Sequence, residues 1–376
     1  MVTQQTSMDG DKPRKILFCI DCLVRGGTEL QVIGMIERLD PKKYQPYLLT
    51  IRETDKALVP KNCQHLAWQV PKLFSLNGIK QLYKLVAWLK REKVTIVQSY
   101  FQDSTLLAGI AAKLAGTKVR VACFRDMAFW NNSKTERALN KVYPLMTGYI
   151  SNAHAVSQHF AEQFGLNSKK MTVLPNGIDI NKFTFIEHGS EITDICIVGN
   201  MTRQVKRTDL FIKAAAIVAK SYPKITWHII GDGHLKAELQ QLAKELAVEQ
   251  QIKFVGRIAD VNAYMESMQL GVLCSDSEGL SNAILEYMLK GVVCVATEVG
   301  GTPELISDNV TGCLVKPDDS LMIAEKIIAL IEQPDMRQQM AKAARSVIET
   351  HYSWVNCLAK HDQYYTDALL ASKGNR

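Results

Sequence analysis

Short β-branched runs alternate with longer stretches of helical period almost from one end of the sequence to the other. Strands are predicted at Lys15–Ile20, Pro46–Ile51, Thr95–Gln98, Val119–Phe124, Gly148–Ser151 and Met171–Leu174, with amphipathic stretches such as Glu29–Leu39, Ile79–Arg91 and Ser104–Leu114 between them. The scheme repeats at Asp194–Val198, Thr226–Ile230, Ile252–Val255, Leu270–Cys274, Val292–Ala296 and Cys313–Val315. Strand–helix alternation with few hairpin signals argues for parallel sheets covered by helices on both faces. Periodicity lapses at Asn181–Glu191, and a long helical tail runs from Asp335 to about Leu370. The expected organisation is therefore a loose tail (1–13), a Rossmann-like domain (14–182), a second one (183–355), and a C-terminal helix (356–376) packing back on the first. A length of 376 residues agrees with two domains. In two doubly wound α/β domains facing a central cleft, a ligand binds at the carboxyl ends of the strands.

With 47% hydrophobic and 22% charged residues, the composition is that of an ordinary globular protein and excludes disorder or a disulfide scaffold. The net charge of +7 is uneven. Residues 1–190 carry 26 basic and 15 acidic side chains, the remainder 19 and 23. Either the halves meet different partners, or the extra lysines are solvated surface. Nine cysteines lie mostly in apolar runs. Cys19 and Cys22, three apart on a strand, would point to opposite faces, so buried thiols and a reducing cytoplasm are expected. No apolar run reaches the ~18–20 residues needed to span a bilayer. The expected location is cytoplasmic, with peripheral contact at the inner face of a membrane as an option. For that contact the stretch Lys72–Lys93 stands out, with its lysines set around Leu82, Leu85, Val86, Trp88 and Leu89. It reads either as a helix packed on its own sheet or as a basic amphipathic helix resting on an anionic membrane.

The densest chemistry lies at Ser277-Glu278-Gly279-Leu280-Ser281-Asn282-Ala283-Ile284-Leu285-Glu286. It follows a buried strand and opens a helix that stops at Gly291, with Ser281 or Asn282 as N-cap. Free backbone N–H groups at such a helix start make a phosphate site. Glu278 before the helix and Glu286 within it could hold a sugar hydroxyl and a ribose diol. The turn Val299-Gly300-Gly301-Thr302-Pro303 either approaches a ligand closely or simply closes the sheet. Val198-Gly199-Asn200-Met201-Thr202-Arg203-Gln204-Val205-Lys206-Arg207 ends a strand in a cationic loop, where Arg203 and Lys206 could neutralise a diphosphate leaving group. Asp21–Glu29, with Gly26-Gly27, and Gly231-Asp232-Gly233 both depart from Gly-x-Gly-x-x-Gly, which disfavours a nicotinamide enzyme. A lysine-tipped P-loop is also absent, which disfavours an ATPase.

In this order the motifs resemble glycosyltransferase family 4, retaining sugar transferases of the GT-B fold, over roughly residues 14–370. Glu278 and Glu286 match the family's pair of glutamates. Gly26-Gly27-Thr28 resembles its N-terminal glycine loop, and Pro175-Asn176-Gly177-Ile178-Asp179 its junction motif. Gly231-Asp232-Gly233 is similar to its Gly-x-Gly turn, and Phe254-Val255-Gly256-Arg257-Ile258 to its nucleobase segment. The resemblance implies Glu286 on the ribose, Glu278 on the transferred sugar and Lys206 on the phosphates. It also implies a donor site completed by Gly26, Gly27, Asn200, Gly231, Arg257, Ile258, Gly279, Leu280, Ser281 and Asn282. Asn200 stands where the family often has arginine, a role Arg203 could take over. The histidine that many members carry after the fourth strand is missing from Ile96-Val97-Gln98-Ser99-Tyr100-Phe101-Gln102-Asp103. The expected acceptor side is then Gln98, Tyr100, Asp103 and Arg125, with Asp126 orienting the acceptor hydroxyl. An Arg125–Asp126 structural pair is the alternative.

The implied reaction moves a hexosyl or N-acetylhexosaminyl group, with retention, from a nucleotide sugar (UDP favoured) to a glycan or lipid-linked glycan. The leaving diphosphate would help deprotonate the acceptor in a front-face reaction. No cofactor beyond this co-substrate, no metal and no nucleic-acid partner are expected, Asp-x-Asp occurring only as Asp9-Gly10-Asp11 in the tail. Two other classes remain open: a nucleotide-sugar 2-epimerase of the same fold, which needs no acceptor, and a catalytically silent nucleotide-binding partner subunit.

Overall fold

The computed structural model describes residues 12–127, 133–202 and 204–374. The chain forms two compact units. The first comprises the residues up to Ser151, Ser157–Gly177 and the chain from Trp354 on; the second comprises Asn152–Val156 and Ile178–Ser353.

The first unit is built on seven strands: β1 (Arg14–Ile20), β2 (Tyr44–Thr50), β3 (Gln64–Ala67), β4 (Ile96–Tyr100), β5 (Val119–Phe124), β6 (Gly148–Ser151) and β7 (Met171–Val173). They pair in parallel in the order β3-β2-β1-β4-β5-β6-β7. The central strands are buried on both faces, so alternate residues enter different cores. Ile16, Phe18, Ile20, Ile96 and Tyr100 pack with Val32, Ile36 and Tyr365. Leu17, Cys19, Leu49 and Val97 pack with Leu85, Trp88, Leu107 and Ala111. Edge strand β3 is absent from the sequence expectation because Gln64-His65-Leu66-Ala67 is short and half polar, and only its pairing with β2 defines it.

The second unit has six parallel strands: β8 (Asp194–Val198), β9 (Thr226–Ile230), β10 (Ile252–Gly256), β11 (Leu270–Leu273), β12 (Val293–Thr297) and β13 (Cys313–Val315). Their order is β10-β9-β8-β11-β12-β13. The order reverses between β8 and β11, as it does between β1 and β4 in the first unit, and such switch points are where doubly wound sheets take their ligands. The polar stretch that follows Ile178 is held within this unit: Arg337 donates to the carbonyls of Gly189 and Ser190, each at 2.8 Å, and Arg345 to that of Phe183 at 3.1 Å.

The helical stretch expected from Asp335 to about Leu370 forms two helices, Pro334–His351 in the second unit and Trp354–Gly374 in the first. No glycine or proline marks the break, because tertiary pairing makes it: Ile178 N–H donates to the Tyr352 carbonyl at 2.8 Å, and Ile178 bridges Ser353. The last helix is anchored along its length. The Trp354 ring lies where side chains on Gly34 and Gly177 would otherwise sit, and the Arg38 guanidinium stacks on it at 5.1 Å. Asp362 accepts from Tyr44 Oη and Lys43 Nζ, both at 2.7 Å, and the buried Tyr365 donates to Gln98 at 2.6 Å. Among the described residues no helix is long and apolar enough to cross a membrane.

Candidate active site

At the carboxyl ends of the second unit's strands, loops from β8, β9, β11 and β12 lock together. Gly199 N–H donates to the Ile230 carbonyl at 3.0 Å, Met201 N–H to Asp232 at 3.0 Å and Leu235 N–H to Met201 at 3.1 Å. Gly231, at φ +140°, lies so close to this loop that a Cβ would stand 2.0 Å from the Gly199 oxygen. Only glycine combines that φ with that approach. Past β12, Gly300 (φ +50°) and Gly301 back the Glu278–Gly279 segment: a Cβ on Gly301 would meet the Gly279 oxygen at 2.3 Å, and Gly301 N–H donates to that oxygen at 2.9 Å. The two glycines therefore brace the loop that carries Glu278.

Glu278 Oε1 accepts from Lys206 Nζ at 2.6 Å and from Ser275 Oγ at 2.5 Å. The lysine loop is tied to the same region by Asp276 N–H, which donates to the Val205 carbonyl at 2.8 Å. Arg207, left-handed at φ +46°, anchors the loop by donating to Asp209, Asp276 and Asp318 at 2.6–3.2 Å. These bonds hold its guanidinium charged well above the ordinary range. Ser275 and Arg207 are positioning residues that the sequence did not single out, since their partners lie on other loops. Arg203 lies outside the described residues, as does Asp9-Gly10-Asp11.

The helix Asn282–Lys290 starts from Ser281, whose side chain makes no capping bond, and ends at Gly291 in the left-handed region. The half-buried Glu286 lies on it, without a hydrogen-bond partner among the described residues, and desolvation pushes its carboxyl up to about 7. A carboxylate held back from water on the first turns of a helix is equipped to receive ligand hydroxyls. Leu280 and Ser281 are buried beside it, whereas Asn200 and Arg257 are exposed and Ile258 is half-buried, each on a strand-end loop. The second unit thus pairs Lys206 with Glu278 just ahead of the helix that carries Glu286.

In the first unit the picture differs. Gly26 caps the helix Gly27–Arg38, but buried Glu29 turns its carboxylate back over the glycine: a Cβ there would lie 2.4 Å from Glu29 Oε2. An acidic group already sits on the positive end of that helix, so Gly26-Gly27 offers a filled rather than an open anion site.

Gln98 and Tyr100, expected on the acceptor side, lie inside the first unit's core. Both are fully enclosed, Gln98 Nε2 donating to Tyr100 Oη at 2.5 Å and Gln98 Oε1 accepting from Tyr365. They face the last helix, not a ligand. Asp103 is engaged by Arg52, and Arg125 donates to buried Asn176 at 2.6 Å, tying β5 to the Pro175-Asn176-Gly177 turn. Asp126 is half-buried just past β5. A further, half-buried carboxylate, Asp21, accepts from Ser104 N–H at 2.7 Å and so caps the helix Gln102–Ala115; desolvation raises its pKa.

Residues 25–182 match the model of Glycosyltransferase Family 4, and residues 193–333 that of Glycosyl transferases group 1. The chain is 26% identical over 299 residues to a phosphatidylinositol N-acetylglucosaminyltransferase component of Arabidopsis thaliana, covering 76% of this chain and 64% of that protein. It is 24% identical to the UDP-Gal:alpha-D-GlcNAc-diphosphoundecaprenol alpha-1,3-galactosyltransferase of Escherichia coli, over 83% of this chain and 84% of that one. Against several curated relatives the chain spans less than two thirds of their length, down to 35%. Among solved structures, Anabaena HepE in complex with UDP-glucose superposes with a TM-score of 0.81 at 21% identity, over 94% of this chain and 99% of that one. The architecture is therefore the two-domain α/β GT-B fold.

Proposed function

The chain belongs to the family-4 glycosyltransferases, and we propose that it transfers a hexosyl or N-acetylhexosaminyl group from a UDP-sugar, with retention, to a glycan or lipid-linked glycan in polysaccharide or glycoconjugate synthesis. The observation that carries this reading is Glu286. It is a desolvated carboxyl with no protein partner among the described residues, on the helix that follows directly after the Lys206–Glu278 pair. Ribose hydroxyls donating to Glu286 would supply the missing partners. A diphosphate would draw Lys206 away from Glu278 and release that carboxylate for the hydroxyls of the transferred sugar.

Charge developing on the departing diphosphate is what a preorganised lysine and oriented N–H groups stabilise best. Little else is asked of the protein beyond holding donor and acceptor in line. With Lys206 in this role, turnover is expected without a metal, and activity should persist in EDTA. The nine free cysteines support work in a reducing compartment. Names among the relatives, an undecaprenol diphosphate acceptor in one and phosphatidylinositol in another, favour a lipid-linked acceptor.

A thermal-shift screen of nucleotide sugars, followed by donor-hydrolysis assays, tests the reading. UDP-sugars should raise the melting temperature by linkage. No stabilisation by any nucleotide sugar would sink it. Formation of a C2-epimerised sugar without any acceptor would instead identify an epimerase.

A further inference from the structure

Successive N–H groups of a central strand point to opposite neighbours. Just past β8, Gly199 N–H serves the β9 side, donating to the Ile230 carbonyl, so Val198 N–H faces β11. The register of β8 with β11 covers Ile195–Leu270 and Cys196–Gly271 and ends there, at the switch point of the sheet. A backbone donor left at the end of a ladder needs another partner. Val198 N–H finds it in the hydroxyl oxygen of Tyr287, at 2.9 Å.

Tyr287 is fully enclosed. Its ring lies over Gly271 of β11, where a Cβ would stand 2.6 Å from the ring carbons. Glycine at 271 makes room for the ring, and the ring carries its hydroxyl to the place where the two strands part. The Cys196 side chain adjoins the same hydroxyl.

The two elements joined in this way carry different parts of the candidate site. Tyr287 follows Glu286 on the helix Asn282–Lys290, and successive side chains on a helix point about 100° apart, so one can face the sheet while the other does not. Val198 ends β8 and leads directly into the loop that holds Lys206 against Glu278. The far end of the helix is fixed by Ile186 N–H on the Lys290 carbonyl at 3.0 Å and by Arg345 on that of Leu289 at 2.6 Å. The Tyr287 bond adds a fixed point next to Glu286.

We propose that Tyr287 is a positioning residue of the donor site, its hydroxyl fixing the helix that bears Glu286 against the strand that leads into the Lys206 loop. This rests on the assignment of Glu286 and Lys206 to the donor.

Tyr287→Phe keeps the ring over Gly271 and removes the hydroxyl alone. Calorimetric titration of the full chain with UDP should show binding about tenfold weaker, the order of loss when a hydrogen bond to a charged group is misaligned. On a Glu286→Gln background the same substitution should change UDP affinity by less than about twofold, because Tyr287 acts through Glu286. A residue that only stabilised the fold would cost the same on both backgrounds. Amide exchange in the wild-type chain reads the joint without any substitution, so a variant that fails to fold leaves the matter decidable. UDP should slow exchange at Val198 by at least about tenfold relative to Ile229 on the neighbouring strand. Unchanged UDP affinity in Y287F, equal losses on both backgrounds, or Val198 exchange indifferent to bound UDP would each overturn the role of Tyr287 and leave the transferase reading standing. A wild-type chain that binds neither UDP nor any nucleotide sugar would instead remove the donor site itself, and this role with it.

Discussion

Lys206 Nζ lies 2.6 Å from Glu278 Oε1, although 72 positions separate the two in sequence. Each neutralises the other in this structure, and under the proposed reading a bound donor would part them. Lys206→Met should therefore lower kcat by about 10²–10³-fold, the usual effect of deleting one donor to a developing charge. Glu278→Gln should leave UDP affinity within a few-fold while depressing transfer. Steady-state kinetics beside calorimetric UDP binding would separate the two effects, and equal loss of both parameters in E278Q would count against a sugar-facing role.

With Glu286 on the ribose, as proposed, donor binding should depend on pH. Its carboxyl is pushed up to about 7 by burial, and hydroxyl donors stabilise the ionised form, so binding should release a proton. Affinity for a UDP-sugar, whose phosphates do not titrate near neutrality, should then rise as pH increases through about 7. Glu286→Gln should flatten that dependence and weaken binding. Calorimetry in buffers of different ionisation enthalpy reads the proton directly. Without ligand the sign reverses: between the ordinary carboxyl range and about 7 the folded state binds more protons than the unfolded one, so this group's contribution to stability falls as pH rises.

Gly301→Ala should damage donor binding more than folding. Its Cβ would sit 2.3 Å from the Gly279 oxygen, and backbone cannot yield as a side-chain tip can. We expect about 1–3 kcal/mol of destabilisation from overpacking, with UDP stabilisation lost. Chemical denaturation with and without UDP measures both. Retained UDP binding in G301A would show that the Glu278 loop does not depend on its glycine support.

Tyr365→Phe should cost about 1–3 kcal/mol by leaving the enclosed Gln98 oxygen without its donor. Donor affinity should not change, because Gln98, Tyr100 and Tyr365 belong to the first unit's core. A selective rise in acceptor KM, with stability intact, would restore Gln98 and Tyr100 to the acceptor side.

The parts of this protein legible in the sequence are those written locally. β-Branched runs marked twelve of the thirteen strands, and helix-start chemistry marked Glu278 and Glu286. Glu278–Lys206 was legible as two separate motifs, but their hydrogen bond was not. The fate of Gln98 and Tyr100 was hidden for a simple reason. They occupy one face of β4, and what covers that face is a helix more than 250 residues further along. Composition near β4 cannot reveal it. Glu29 was equally silent, since only the fold turns its carboxylate onto Gly26.

The swap of the last helix to the first unit also bears on biosynthesis. Synthesis proceeds from the N-terminus, yet the first sheet lacks Trp354 and Tyr365 until all of residues 178–353 have been made. Residues 178–353 include almost all of the second unit and can close earlier. The nascent first unit would wait with that sheet face only partly covered, by Val32 and Ile36 but not yet by Tyr365. Chaperone dependence, and aggregation after translational stalling before residue 354, are the vulnerabilities built into this connectivity.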